Sequence, residues 1–204
     1  MSDAVVVIDY GMGNLFSVES ALRYLGATVT LSADPEVVES ARQVILPGVG
    51  SFRLAMERLS AQHLDDAVRR LVARGDHLLG ICLGMQLLGS ASSEDGETAG
   101  LGIIPNRVDR FDTRLGIKVP HVGFNSITSS TTSGLFADLP ASPDFYFVHS
   151  YRLTVDGMTY PHATCEYGET FLAAFDAGNV QGAQFHPEKS QSNGLQVLRN
   201  FLAP

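Results

Sequence analysis

The chain has only two cysteines, Cys82 and Cys165, in 204 residues. Two thiols permit at most one bridge, which excludes a disulfide scaffold and fits a reducing compartment. No apolar run approaches the roughly 20 residues of a membrane span. The opening Met1-Ser2-Asp3-Ala4 lacks the basic and apolar regions of a signal peptide. Basic residues are scarce: 14 Lys and Arg stand against 22 Asp and Glu, a formal net charge of −8. That balance argues against general nucleic-acid binding, which needs a basic face to neutralise phosphates. Gly11-Met12-Gly13 lacks the third glycine of a dinucleotide fingerprint, and no Walker sequence is present. His162 and Cys165 are spaced H-x-x-C, but no second pair completes a metal site. Neither a cofactor nor a metal is therefore expected. What is present is a globular balance, 45% apolar and 18% charged, in a length that fits one domain over residues 1–204 with a sizeable core. A cytoplasmic enzyme or binding domain is the expectation.

The first half of the chain alternates strand and helix signals. Ala4 to Asp9 is a Val-rich apolar run of the kind found in sheets covered on both faces. Val18, Ala21, Leu22 and Leu25 recur at helical spacing before Gly26. Thr28 to Leu31 is a second strand, Asp34-Pro35 an N-cap followed by proline at the first helical position, and Val44-Ile45-Leu46 a third strand. The periodicity predicts a helix from about Ser51 to Arg74, then a strand over Leu78 to Ile81 and a helix opening at Met85. Such alternation implies βαβ units and a mainly parallel sheet. Leu101 to Phe175 reads as short β segments, suggesting antiparallel strands added to an α/β core, and Leu195, Leu198 and Leu202 mark a closing helix. Ser90 to Gly100 and Ser126 to Ser133 read as loops.

Gly80-Ile81-Cys82-Leu83-Gly84 lies between a buried strand and a helix. This is the nucleophile-elbow pattern with cysteine in the serine position. A sharp strand-to-helix turn strains the central residue, and small neighbours let the chain pass close to itself. The turn carries the thiol to a helix N-terminus, which favours thiolate, and aims the Leu83 N–H at a developing oxyanion. His186-Pro187-Glu188 supplies a base and its orienter, because positions i and i+2 of an extended segment point to one side. Taken singly, each motif has an ordinary structural reading: a buried inert cysteine, a surface turn with one His and one acid. The order Cys, His, acid also differs from that of α/β-hydrolases.

Together these residues resemble the class I glutamine amidotransferases, whose Cys-His-Glu triad matches Cys82, His186 and Glu188. Ile8 to Asn14, Leu46 to Phe52, Gly80 to Gln86, Phe147 to Tyr151 and Gln184 to Ser190 carry the match. Gly11-Met12-Gly13-Asn14, Pro47-Gly48-Val49-Gly50, Met85 before Gln86 and Lys189-Ser190 resemble the branch serving histidine biosynthesis, the glutaminase subunits of imidazole glycerol phosphate synthase. Where that branch usually has Pro-His-Met-Gly-Trp-Asn, this chain has Pro120-His121-Val122-Gly123-Phe124-Asn125. The aromatic is kept and the indole N–H is lost.

The resemblance implies a flavodoxin-like α/β fold and hydrolysis of L-glutamine through a γ-glutamyl thioester on Cys82. It implies an oxyanion hole from Val49, Gly50 and Leu83, and substrate contacts from Gly48, Gln86, His149, Ser150 and Tyr151. It also implies a separate cyclase subunit with a (βα)8 barrel, forming a heterodimer, that receives the ammonia. Asn14, Phe124, Tyr146 and Lys189 would face that subunit. Other readings stay open at this stage: an amidotransferase subunit of an anthranilate, aminodeoxychorismate or purine-pathway synthase, a thiol protease or redox-responsive domain, or a regulatory subunit that binds glutamine without turning it over.

Overall fold

The computed structural model describes residues 4–203. Met1, Ser2 and Asp3 of the amino-terminal reading, and Pro204, lie outside the described residues.

The chain begins with β1 (Val5–Ile8), α1 (Leu15–Tyr24), β2 (Val29–Ser32), α2 (Pro35–Ser40) and β3 (Gln43–Leu46). It continues through α3 (Phe52–Ala61), α4 (Leu64–Arg74), β4 (His77–Ile81) and α5 (Leu83–Leu87). The short strands β5 (Ala91–Ser92), β6 (Thr98–Ala99) and β7 (Arg107–Arg110) follow, then β8 (His121–Ser126), β9 (Thr128–Ser129), β10 (Asp144–His149) and β11 (Tyr151–Leu153). The last elements are β12 (His162–Tyr167), β13 (Glu169–Asp176), β14 (Val180–Ala183) and α6 (Gln191–Leu202).

An eight-stranded sheet runs β2-β1-β3-β4-β14-β13-β12-β9. Its β2, β1, β3, β4 and β14 are parallel, whereas β13, β12 and β9 continue it antiparallel. The expected parallel α/β core with an added antiparallel region is thus borne out. Strands β1, β3 and β4 are almost entirely buried, as their unbroken apolar sequence requires when helices cover both faces. Two small sheets, β10-β8 and β11-β7-β5-β6, sit beyond this core.

Local signals set most boundaries. Asp34 caps α2 by accepting the Glu36 N–H, with Pro35 at the first helical position. The helix expected from Ser51 to Arg74 is two helices. Gln62 and His63 close α3 onto the Leu59 and Ser60 carbonyls, and His63 turns left-handed at φ 55°. That corner lets Leu59 at the end of α3 and Leu64 at the start of α4 both reach the core. The two segments read as loops hold paired residues as well: β5 and β6 fall in the first, and β9 in the second.

The crossing of β3 by the start of α5 positions the elbow. A Cβ on Gly84 would sit 1.8 Å from the Leu46 carbonyl oxygen, so only glycine fits that contact. Gly84→Ala is expected to destabilise the fold by about 3 kcal/mol or more. Thermal denaturation should show this as a fall in Tm of roughly 10 °C.

Candidate active site

Strand β4 delivers Cys82 to the carboxyl edge of the parallel sheet, where the chain turns into α5. Its backbone is strained, with φ 54° and ψ −111°, and a residue with a Cβ holds such a conformation only when its surroundings over-determine it. Here the Cys82 N–H donates to the Ala183 carbonyl at 2.7 Å, and the Cys82 carbonyl accepts the Gln86 N–H at 3.2 Å.

Strand β14 lies against β4 in parallel, with Ile81 opposite Ala183, and runs directly into Gln184, Phe185 and His186. The His186 N–H donates to the Tyr146 carbonyl at 2.9 Å, fixing the segment against β10. Pro187–Lys189 then forms one 3₁₀ turn and not the extended segment expected from the sequence, because the Lys189 and Ser190 N–H groups close back onto the His186 and Pro187 carbonyls. That turn brings Glu188 Oε1 to 2.8 Å from His186 Nδ1, both side chains being almost wholly buried. With Nδ1–H held by the carboxylate, Nε2 is the nitrogen left for proton transfer. Burial opposes a charged imidazole, but hydrogen bonding and charge from Cys82 and Glu188 outweigh it and raise His186 to about 9. Nε2 has no partner at full hydrogen-bond geometry, so the Cys82 contact is a loose one of the kind that tightens when substrate is bound.

Cys82 and His186 open into a cleft of about 350 Å³. Val49, Gly50, Leu83, Gln86, His149, Ser150 and Tyr151, all singled out in the sequence, line it together. Gly48 is not in the lining: it is wedged behind the loop, where a Cβ would lie 2.5 Å from the Tyr10 hydroxyl and 3.0 Å from the Leu83 Cβ. Gly50 has φ +106°, open to glycine and strained for other residues. The imidazole of His149 is fully engaged. Its Nδ1–H donates to the Tyr151 carbonyl at 2.8 Å, so its Nε2 accepts the Nδ1–H of His121 at 3.2 Å. Burial lowers His149 to about 3 and His121 to about 4, and the pair is neutral and architectural.

Two residues that motif reading passed over belong to this site. Glu94 lines the cleft and accepts the Phe52 N–H at 2.8 Å, capping α3, while burial raises its carboxyl above the ordinary range. Tyr10 donates its hydroxyl to the Pro47 carbonyl at 2.9 Å and fixes the base of the Pro47-Gly48-Val49-Gly50 loop. Neither position carries a local signal, since an acid in a Ser-rich loop and a tyrosine at a strand end have many ordinary uses.

The residues expected to face a partner lie close by. Phe124 and Tyr146 are paired across β8 and β10, their rings edge to face at 5.7 Å. Lys189 Nζ lies 5.9 Å from the centre of the Tyr146 ring. Asn14 heads α1, which packs against the Pro187–Lys189 turn. The second thiol is of another kind: Cys165 is buried in β12 and burial pushes it up to about 12. Among the described residues no cluster of three or more His, Cys, Asp or Glu is arranged to hold a metal. Nor is any helix among them long and apolar enough to cross a membrane.

A thiol on a strained strand-to-helix turn, facing a carboxylate-held histidine, defines a thiol acyl-transfer site. The family described as Glutamine amidotransferase class-I matches residues 6–204, and the chain belongs to it. It is thus an enzyme of the glutaminase type. More particularly, it is 48% identical over 97% of its length to the imidazole glycerol phosphate synthase subunit HisH of Moorella thermoacetica, covering 93% of that protein. It is 43% identical over its whole length to the chloroplastic imidazole glycerol phosphate synthase hisHF of Arabidopsis thaliana, of which it covers 35%. A solved glutamine amidotransferase superposes with a TM-score of 0.77 at 22% identity, over 98% of this chain and 97% of that one, a likeness of fold.

The raised His186 value predicts the alkaline limb of catalysis. A proton held up to about 9 stays on His186 through neutral pH and is lost above that value. The rate of glutamine hydrolysis should therefore fall as pH rises through about 9. NMR titration should place the His186 midpoint near there, and lower in Cys82→Ser, where the sulfur's charge is absent.

Proposed function

We propose that this chain is the glutaminase subunit of an imidazole glycerol phosphate synthase in cytoplasmic histidine biosynthesis, built as one amidotransferase domain over residues 1–204. The single observation that carries the catalytic reading is the meeting of strained Cys82 with the His186–Glu188 pair in one cleft. The identity of 48% to a HisH subunit supports the pathway. In the Arabidopsis relative the matching region is about a third of a longer synthase chain, which supports a glutaminase working beside a second catalytic unit.

In this reading the Cys82 thiolate attacks the side-chain amide carbon of L-glutamine. The tetrahedral oxyanion is met by the Leu83 N–H and by a backbone N–H of the Val49-Gly50 segment. The imidazolium of His186 gives its proton to the amide nitrogen, the C–N bond breaks, and ammonia leaves behind a γ-glutamyl thioester. His186 then takes a proton from water, hydroxide adds to the thioester carbon, and glutamate departs as the C–S bond breaks. The sum is glutamine and water giving glutamate and ammonia. Glu188 holds the imidazole in orientation throughout. Glu94 supplies a carboxylate for the substrate's amino group, and Ser150 and Tyr151 bound the same end of the cleft.

Ammonia passes to the cyclase subunit, a (βα)8 barrel in a heterodimer with this chain, which forms imidazole glycerol phosphate and aminoimidazole carboxamide ribotide. Its docking surface is the exposed face shared by β8 and β10. Val122 pairs with Val148 there and Phe124 with Tyr146, and Lys189 stands over the Tyr146 ring. Both Val122 and Phe124 are about half exposed, 57% and 49%. Such apolar residues at the rim of a catalytic cleft favour a protein partner.

Cys82→Ala is expected to abolish glutamine-dependent turnover of the complex and to leave turnover on added ammonium salts intact. Loss of both would break the assigned division of labour. Glu188→Gln should lose less than His186→Ala, since it orients the base without taking the proton. The isolated chain should be a slow glutaminase, accelerated ~10²–10³-fold when partner and nucleotide complete the oxyanion hole. Glutamate release by the chain, the complex and the liganded complex measures this directly. Gly50→Ala should depress the stimulated rate more than the basal one, because the loop needs the freedom of φ +106° there.

A further inference from the structure

Gln184 stands two residues before His186 and is fully buried. A buried carboxamide is costly unless its polar atoms are paired, and here the pairing has a direction. Nε2 of Gln184 donates to the Cys82 sulfur at 3.8 Å, and its Oε1 accepts from Nε2 of Gln86 at 2.9 Å. Nε2 of Gln86 also donates to the Tyr151 carbonyl at 2.8 Å. A backbone carbonyl can only accept, so Gln86 must turn its NH₂ group toward Tyr151. The second hydrogen of that NH₂ then faces Gln184, which must answer with its oxygen. The NH₂ of Gln184 is left facing sulfur. Flipping its amide would set two NH₂ groups against each other and an oxygen against a thiolate.

We propose that Gln184 is a catalytic residue of the glutaminase site, an N–H donor to the Cys82 sulfur, held in that orientation by Gln86 and the Tyr151 carbonyl. The proposal rests on Cys82 being the nucleophile. It gives Gln86 a positioning role: both of its N–H donors are spent on the protein, and its presence in the cleft lining follows from holding Gln184. The amide does not titrate, so it stabilises the thiolate at every pH, whereas the charge on His186 comes and goes. The same donor acts in both half-reactions. It favours the thiolate that attacks glutamine, and it favours that thiolate again as the leaving group when the thioester is hydrolysed.

The test is the pH dependence of Cys82 alkylation by iodoacetamide, followed by peptide mass spectrometry on the full chain with Cys165 as the internal reference. Gln184→Met keeps the volume and removes the donor. Gln184→Glu keeps the acceptor for Gln86 and replaces the donor facing sulfur with oxygen. The midpoint should rise by about one unit in Gln184→Met, a tenfold loss of thiolate at neutral pH, and further in Gln184→Glu. The kcat for glutamine should fall by about tenfold, with KM little changed. Should Gln184→Met melt early, Gln86→Leu decides, because it leaves Gln184 in place but removes the contact that holds its NH₂ toward the sulfur. An unshifted midpoint in a variant that melts at the wild-type temperature overturns the proposal. If wild-type enzyme alkylated at Cys82 still hydrolyses glutamine, the failure lies in the nucleophile assignment beneath it.

Discussion

The meeting of Cys82 and His186 depends on one backbone pairing, that of β4 with β14. Ile81 lies opposite Ala183, and the Cys82 N–H reaches one step past the end of β4 to the Ala183 carbonyl. Gln184 and Cys82 are 102 positions apart in the chain, yet this register makes them neighbours. Side chains alternate along a strand, so a slip of one residue would turn the whole Gln184-Phe185-His186 segment over. The register is secured by what surrounds it. Both strands are buried on both faces, and Phe185 packs flat on Phe145 with ring centres 3.9 Å apart. The geometry of the thiol and the imidazole is thus a property of the sheet.

A second constraint acts from the other side of the elbow. Gly84 passes so near the Leu46 carbonyl that α5 is pressed onto the end of β3, just where the Pro47–Gly50 loop begins. Cys82 and the Pro47–Gly50 loop are therefore tied to each other by van der Waals contact. The strained backbone of Cys82, a cost of roughly 1–3 kcal/mol, is held between this contact and its hydrogen bond to β14. Function and close packing compete for the same few residues here, and glycine resolves the competition.

Much of this was readable before the structure. The βαβ alternation, the Asp34-Pro35 cap and the elbow rest on neighbours in sequence, where periodicity and backbone chemistry act directly, whereas His186 and Glu188 meet across a 3₁₀ turn and not along the extended segment expected of them. The helix break at His63 was not readable. Leu59 and Leu64 are five residues apart, and the left-handed corner between them absorbs one residue of phase, so the apolar rhythm continues across it. Gly48 was expected beside the substrate because the resemblance places the whole Pro47-Gly48-Val49-Gly50 loop there, but only Val49 and Gly50 of it line the cleft. Gly48 lies behind them because Tyr10, distant in sequence, fills the adjoining space. Glu94, Tyr10 and the role of Gln184 share a cause: each is defined by a long-range contact that leaves no mark on flanking residues.

The Tyr10 hydroxyl bound to the Pro47 carbonyl has a consequence for how the site ages through a pH excursion. Burial holds that phenol above its ordinary value, reinforced by the nearby sulfur. The anchor of the loop therefore keeps its proton over the whole range in which His186 gains and loses charge. The loop's anchor and the His186 imidazole thus titrate in different ranges of pH. An alkaline step that removes the His186 proton therefore leaves the Tyr10–Pro47 hydrogen bond in place.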